Sequence, residues 1–378
     1  MRTGLLTIHS IQNVGSVLQA AATQVILDEF GYNTEIINYQ YPSDIHRPSV
    51  SRWHEWRSHA LNRMNSRAKN LLPGRPHDAY LAHHREARSM WYKLSGDLLT
   101  NREDLRQVAN RYDIIIVGSD QVWHPRTAAR DPSFFLDFGS PSSLRASYAS
   151  SFGLLSLPKQ LEADYSLGLR HLHCISVREA TGVEIVSKLT GRDAELVLDP
   201  TLMLPQELWS GLARPVAPDG PYILCYGSNN RSRDLERTAW YFHQLTNWPI
   251  VRVHGKAYHA ASRRVRYVFD VGPREWLDYM QRAGLVLAQS FHGVAFSVLF
   301  DRPFISLSTH DSDRDSRQSD LLSRLGLSGR AVASDSIRIS PERFLETPLT
   351  SPTRMLLSSE REKSTAYLRS IQELRRTL

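Results

Sequence analysis

The chain has 378 residues, 41% of them apolar, which predicts about two domains and excludes a disordered chain. Mean hydropathy is −0.37 and no long apolar run or cationic-then-apolar leader occurs, so a cytoplasmic protein without a membrane span is expected. Cys174 and Cys225 stand 51 positions apart in apolar runs and encode neither a disulfide framework nor a zinc cluster, while 46 Lys and Arg against 39 Asp and Glu leave +7, a balance that favours anionic partners.

In chain order, Leu5 to His9 reads as a strand, and residues 13 to 30 as a helix stopped by Gly31. The segment from His46 to Lys93 holds ten Lys and Arg against Glu55, Asp78 and Glu86, so it carries the whole net charge. Trp53, Trp56, Trp91 and Tyr92 are interleaved there with histidines. Such a surface suits nucleic acid, anionic lipid or an anionic lipid-linked glycan, and a solvated helical insertion is the plain alternative. Further strands are predicted over 35–38, 113–117, 146–149, 174–177 and 196–198, with helices near 157–171 and 179–190. Composition shifts between Pro205 and Asp219, and the alternation then restarts. Strands are predicted at 222–226, 250–253, 285–288 and 304–307, with helices near 232–245, 274–282, 292–300 and 318–326. A tail helix carries Tyr367, Leu368, Ile371 and Leu374 at helical spacing.

This alternation predicts an α/β protein of two doubly wound domains. Residues 1–204 form the first, with 46–93 as its insertion; 220–350 form the second, and 351–378 the terminal helix. Ligands of such folds meet strand C-terminal ends and helix N-termini, with the cleft between the domains as the expected site, so strand-to-helix turns are the places to search. At the first turn, Asn13, Gly15 and Ser16 suit a helix cap with N–H groups toward a ligand, or a cap alone. At the second, Gly118-Ser119-Asp120-Gln121-Val122-Trp123 follows an apolar run. Asp120 could take a proton from a hydroxyl and Trp123 could stack on a sugar, whereas a plain cap would need only Asp120. The third, Ser290-Phe291-His292-Gly293, opens an apolar helix and sets an imidazole at its start, where it can meet an anion and move a proton. Arg231 and Arg233 follow a buried strand, and Arg314 and Arg317 precede a helix; guanidinium groups there fit a ligand bearing carboxylate and phosphate. Histidines 83 and 84, or 171 and 173, lack partners at metal-ligand spacing.

These pieces together resemble the polysaccharide pyruvyl transferase family. The matching runs are NVGSVLQAAATQ (13–24), DIIIVGSDQVW (113–123), SYASSFG (147–153), ISVREATG (175–182), VLDPTLML (197–204), SFHGVAFSVLFDRPF (290–304) and SRLGLSGR (323–330). The resemblance implies a GT-B-like pair of Rossmann-like domains and phosphoenolpyruvate as donor substrate, with neither a cofactor nor a metal. The implied acceptor is a sugar of a glycan or glycolipid. It matches His292 to the family's helix-start histidine and Arg231 or Arg233 to its donor-binding arginine. Where members carry Arg-Leu-His this chain has Ser290-Phe291-His292, so Arg317 or Arg314 is expected to supply that charge.

The expected reaction is transfer of a pyruvyl group to sugar hydroxyls, closing a ketal. His292 is the expected acid and Asp120 the base. Ser290, Gly293, Arg231, Arg233, Arg314 and Arg317 are expected around the donor, and Asn13, Gly15, Ser119, Gln121 and Trp123 around the acceptor. Phosphoenolpyruvate and a sugar, free or lipid-linked, are the expected partners, with nucleic acid excluded. Peripheral association at the inner membrane face is compatible with the basic segment. A glycosyltransferase using a nucleotide-sugar donor is the alternative reading, and a non-catalytic binding protein is a third.

Overall fold

The computed structural model describes residues 1–40, 52–72, 74–96, 98–129, 131–227, 232–254, 263–309, 311–333 and 341–377, with the side chains of 52–59, 62, 232, 233 and 314 outside the description. The chain divides into two compact units, one of residues 1–48, 91–204 and 356–378, the other of 49–90 and 205–355.

The first unit begins with β1 (Arg2–Leu6), α1 (Val14–Glu29) and β2 (Asn33–Ile36). The chain then passes through α2 (Arg52–Lys69) and α3 (Pro76–Trp91). It continues with α4 (Arg102–Ala109), β3 (Ile114–Val117), β4 (Leu144–Ser147), α5 (Glu162–Leu169), β5 (Ser176–Val177), α6 (Ala180–Thr190), β6 (Glu195–Leu196) and α7 (Pro200–Met203). The parallel sheet runs β2-β1-β3-β4, and the parallel pair β5-β6 adjoins it through bridges from Ala146 to Cys174 and from Ser150 to Val177. β3 is four consecutive buried aliphatics, Ile114 to Val117, as a strand covered on both faces requires. The order reverses between β1 and β3, so the polar ends of these two strands open the position where doubly wound sheets take ligands.

The second unit contains α8 (Gln206–Leu212), β7 (Ile223–Tyr226), α9 (Ser232–Thr246), β8 (Ile250–Val253), β9 (Arg266–Val268) and α10 (Pro273–Arg282). β10 (Leu285–Ala288), α11 (Phe291–Leu299), β11 (Phe304–Leu307), α12 (Ser312–Arg324) and β12 (Ala331–Val332) follow. All its strand pairs are parallel, in the order β12-β11-β10-β7-β8-β9. Counted within the unit this is the 3-2-1-4-5-6 order of dinucleotide folds, reversing between β7 and β10. α11 is buried along its whole length, as its run of aliphatic and small residues demands.

One grouping differs from the sequence expectation. Residues 49–90 cluster with the second unit rather than forming an insertion of the first. α3 is bound there by charge: Glu86 pairs with Arg214 and with Arg274 (3.1 Å), and His83 Nδ1 lies 2.7 Å from the Asp270 carbonyl. The Tyr80 ring meets His254 edge-on. The tail helix, α13 (Ser351–Thr377), begins where the terminal helix over 351–378 is expected and packs on the first unit from Leu356 on. Tyr367 donates to the Ser147 carbonyl (2.7 Å), Tyr32 donates to the Leu368 carbonyl (2.5 Å), and Ser364 Oγ receives the Leu198 N–H (2.8 Å). No described helix is long and apolar enough to cross a membrane.

Candidate functional site

In the first unit the strand ends are tied to one another by buried charge. Asn13 caps α1 by accepting the Ser16 N–H at 3.1 Å, which turns the buried Ser16 hydroxyl onto Asp120 Oδ2 at 2.8 Å. Gly15 is buried in that first helical turn. From the end of β5, Arg178 reaches Asp199 (2.6 Å), Asp120 (3.1 Å) and Glu179 (3.9 Å) with a side chain that has no solvent exposure. Burial pulls this guanidinium down, but the carboxylates of Asp199, Asp120 and Glu179 together hold it above its ordinary value. Glu179 in turn receives the N–H groups of Phe152 (2.8 Å) and Gly153 (3.2 Å), from the loop after β4. Asp199 caps α7 through Thr201. One cation and three anions thus fasten the loops that follow β3, β4, β5 and β6.

The backbone here is under constraint. Asp120 occupies the left-handed region (φ 69°), a conformation that costs about 1–3 kcal/mol and persists where surrounding contacts fix it. Gly118 (φ 121°) precedes it, and a side chain there would drive into the Tyr148 carbonyl. Ser119 is fully buried and donates to the Ala149 carbonyl at 2.9 Å.

Two sequence expectations change. Trp123 has no exposed surface: its indole N–H donates to the Phe134 carbonyl (3.0 Å) and its ring packs on Phe135 and Phe152. The short turn after Asp120 directs this large apolar ring inward, so it is a core residue and not a sugar platform. Asp120 has Oδ1 on Arg178 and Oδ2 on Ser16, which makes it a fastening of the strand ends rather than a base awaiting a hydroxyl. Gln121, half-buried, lies against Gly153. The sequence reading missed Arg178, Glu179 and Asp199 as partners. Their only local signal is a charged residue directly after a strand-like run, in ISVRE and VLD.

The second unit presents different chemistry at the corresponding strand ends. Ser290 is the N-cap of α11, its hydroxyl accepting the Gly293 N–H at 3.1 Å. That amide is therefore taken by the cap. Gly293 serves packing, since a Cβ would meet Ala288 and Tyr226 at 3.1 Å. His292 lies between them on the first turn, 9% exposed, its ring perpendicular to that of Phe291. Gln289 donates to the Ser308 carbonyl at 3.2 Å and joins the ends of β10 and β11. Asp315 accepts the Thr309 hydroxyl (2.7 Å) and the Ser308 hydroxyl (2.8 Å), pinning the turn into α12, on which Arg317 is half-buried. Arg233 and Arg314 belong to α9 and α12, while Arg231 lies outside the described residues.

Residues 13–311 match the family model described as polysaccharide pyruvyl transferase. The chain belongs to that family. Polysaccharide pyruvyl transferases are transferases, and pyruvyl transfer to polysaccharide is the activity that membership carries. No curated protein matches the sequence. Among solved structures the chain resembles UDP-GlcNAc 2-epimerase from Neisseria meningitidis (TM-score 0.55, 8% identity, 95% of this chain and 99% of that one). It also resembles UDP-GlcNAc 2-epimerase from Methanocaldococcus jannaschii (TM-score 0.54, 10% identity, 94% and 98%). At such identity the likeness is one of fold. Within this pyruvyl transferase-family chain the matched region spans both sets of strand ends, from the Asn13 cap to the turn that Thr309 closes. Among the described residues no group of three or more His, Cys, Asp or Glu side chains is placed to hold a metal ion.

Proposed function

We propose that the chain transfers the pyruvyl carbons of phosphoenolpyruvate to hydroxyls of a sugar, in a polysaccharide or a lipid-linked glycan, and closes a ketal where two hydroxyls are neighbours. The observation that carries this reading is the position of His292, on the first turn of α11 beside the reversal of strand order in the second sheet. Phosphoenolpyruvate bears a phosphate and a carboxylate, and a helix N-terminus with nearby guanidinium groups suits both. The first unit's strand ends suit them poorly, because three carboxylates there share one guanidinium.

In this reading the imidazolium of His292 gives its proton to the methylene carbon of the donor. The adjacent carbon gains oxocarbenium character, the acceptor hydroxyl adds to it as its proton passes to the now neutral imidazole, phosphate leaves, and a second hydroxyl completes the ketal while its proton departs with the phosphate. Arg317, Arg231, Arg233 and Arg314 are the proposed anion contacts, with Ser290 fixing the helix start. Asp120 is assigned to holding the first unit's loops. No cofactor takes part, and a cytoplasmic location belongs to the same reading. Mass spectrometry of candidate glycans incubated with protein and phosphoenolpyruvate tests it. The expected product is a glycan heavier by one pyruvyl unit, with phosphate released. Turnover of a nucleotide sugar in place of phosphoenolpyruvate overturns it.

A further inference from the structure

The positive charge of residues 46–93 has a described face on α2. Leu61, Met64 and Arg67 recur at three-residue spacing and so share one side of the helix, with Leu71 in the turn just beyond. Leu61 is 59% exposed, Met64 64% and Leu71 87%. Arg63 and Arg67 are exposed among them, and no described carboxylate lies within ion-pair distance of either. The described acids of the segment are spent elsewhere: Asp78 pairs with Arg75 (2.9 Å), and Glu86 with Arg214 and Arg274. The hairpin is held to its own unit by other contacts. Lys69, on the opposite side of α2, lies 5.2 Å over the Phe269 ring, and Asn70 Oδ1 receives the His77 N–H (3.1 Å) and the Asp78 N–H (3.2 Å) at the start of α3.

We propose that this face of α2, with the turn carrying Leu71, docks on an anionic lipid surface. Aliphatic side chains interspersed with arginines are what the boundary between headgroups and acyl chains accepts: Leu and Met enter the apolar edge while guanidinium groups meet phosphates. A nucleic acid would use the arginines but gain nothing from exposed Leu61, Met64 and Leu71. A second copy of the chain laid against the same face would oppose arginine to arginine.

Flotation of the full chain with vesicles tests this without donor or acceptor, and so independently of the proposed chemistry. Binding is expected to vesicles containing phosphatidylglycerol and not to phosphatidylcholine alone, and to weaken as salt is raised. Arg63→Ala with Arg67→Ala should lower the affinity about fivefold per arginine. Leu61→Ser with Met64→Ser should also release the protein, and because these side chains are exposed the far-UV and near-UV circular dichroism should stay unchanged. Any of three results overturns the proposal: no flotation with anionic vesicles at low salt, flotation indifferent to both variant pairs, or sedimentation showing a dimer that the Leu61 and Met64 changes dissociate.

Discussion

The two sheets follow the same architectural rule, yet their strand ends are furnished in opposite ways. In the first unit, charge is turned inward: Arg178 and three carboxylates satisfy one another with little or no contact with water. In the second, the end of β10 carries neutral groups, Ser290 and Gln289, and an imidazole on a helix start, while Asp315 pins the end of β11 through the Ser308 and Thr309 hydroxyls. An ion cluster of one cation and three anions fixes loops and keeps an excess of negative charge that disfavours an anionic ligand. A helix start with an imidazole retains both a dipole and a mobile proton. The comparison teaches that the first unit's strand ends are fastened to one another, while the second keeps the groups that the proposed anionic donor would use.

Removing the cation should break the first half of that comparison most severely. Arg178→Met leaves three carboxylates buried without their counter-ion, and loss of one partner from a buried pair costs about 3–5 kcal/mol. Denaturant midpoints should fall accordingly, and an unchanged midpoint would show that the cluster is not what holds the loops. The second half is tested by His292→Ala. A positioned acid contributes roughly 10²–10⁴-fold, so turnover of phosphoenolpyruvate should fall by that factor while the far-UV spectrum is retained; near-normal turnover removes His292 from the chemistry. A gentler cut is Ser16→Ala, which deletes the 2.8 Å bond to Asp120. A hydrogen bond to a charged group is worth about 1.5–3 kcal/mol, so stability should drop less than in Arg178→Met and donor binding should not change.

The smallest effect near neutral pH concerns the packing of α3 within the second unit. Burial pushes His84 down to about 4, opposed by its bond to the Tyr80 carbonyl and assisted by the charges of Arg88 and His83. Burial, then the charges of Lys69, His84 and Arg252, pushes His254 down to about 3. Both are neutral in the fold, whereas in the unfolded chain they titrate near 6.5. Below that value the unfolded state takes up more protons, so stability is complete above about 6.5 and is lost progressively as pH falls toward about 4. Urea midpoints followed over that range should decline, and a flat profile would mean that these rings protonate without opening the packing.

Much of this was legible in the sequence because it is written locally. The apolar run at 114–117, the cap at Asn13 and the Ser290 cap before a buried helix each declare themselves within a few residues. The ion cluster does not. Arg178 meets Asp120 across 58 positions and Asp199 across 21, so no window of helical or strand periodicity contains the set. Trp123 misled for a related reason, since an indole after a polar turn reads equally as a stacking surface or as core, and only the Phe135 and Phe152 rings packed on it and the Phe134 carbonyl that takes its N–H decide. The grouping of α3 with the second unit likewise depends on Arg214 and Arg274, more than a hundred residues downstream of Glu86.

Calorimetric titration of phosphoenolpyruvate into the wild-type chain, His292→Ala and Ser16→Ala reads the contrast between the two sets of strand ends directly. The account predicts saturable binding to the wild type, binding abolished or strongly weakened in His292→Ala, and binding retained in Ser16→Ala. Loss of binding in Ser16→Ala with full binding in His292→Ala would place the donor on the first unit and contradict it.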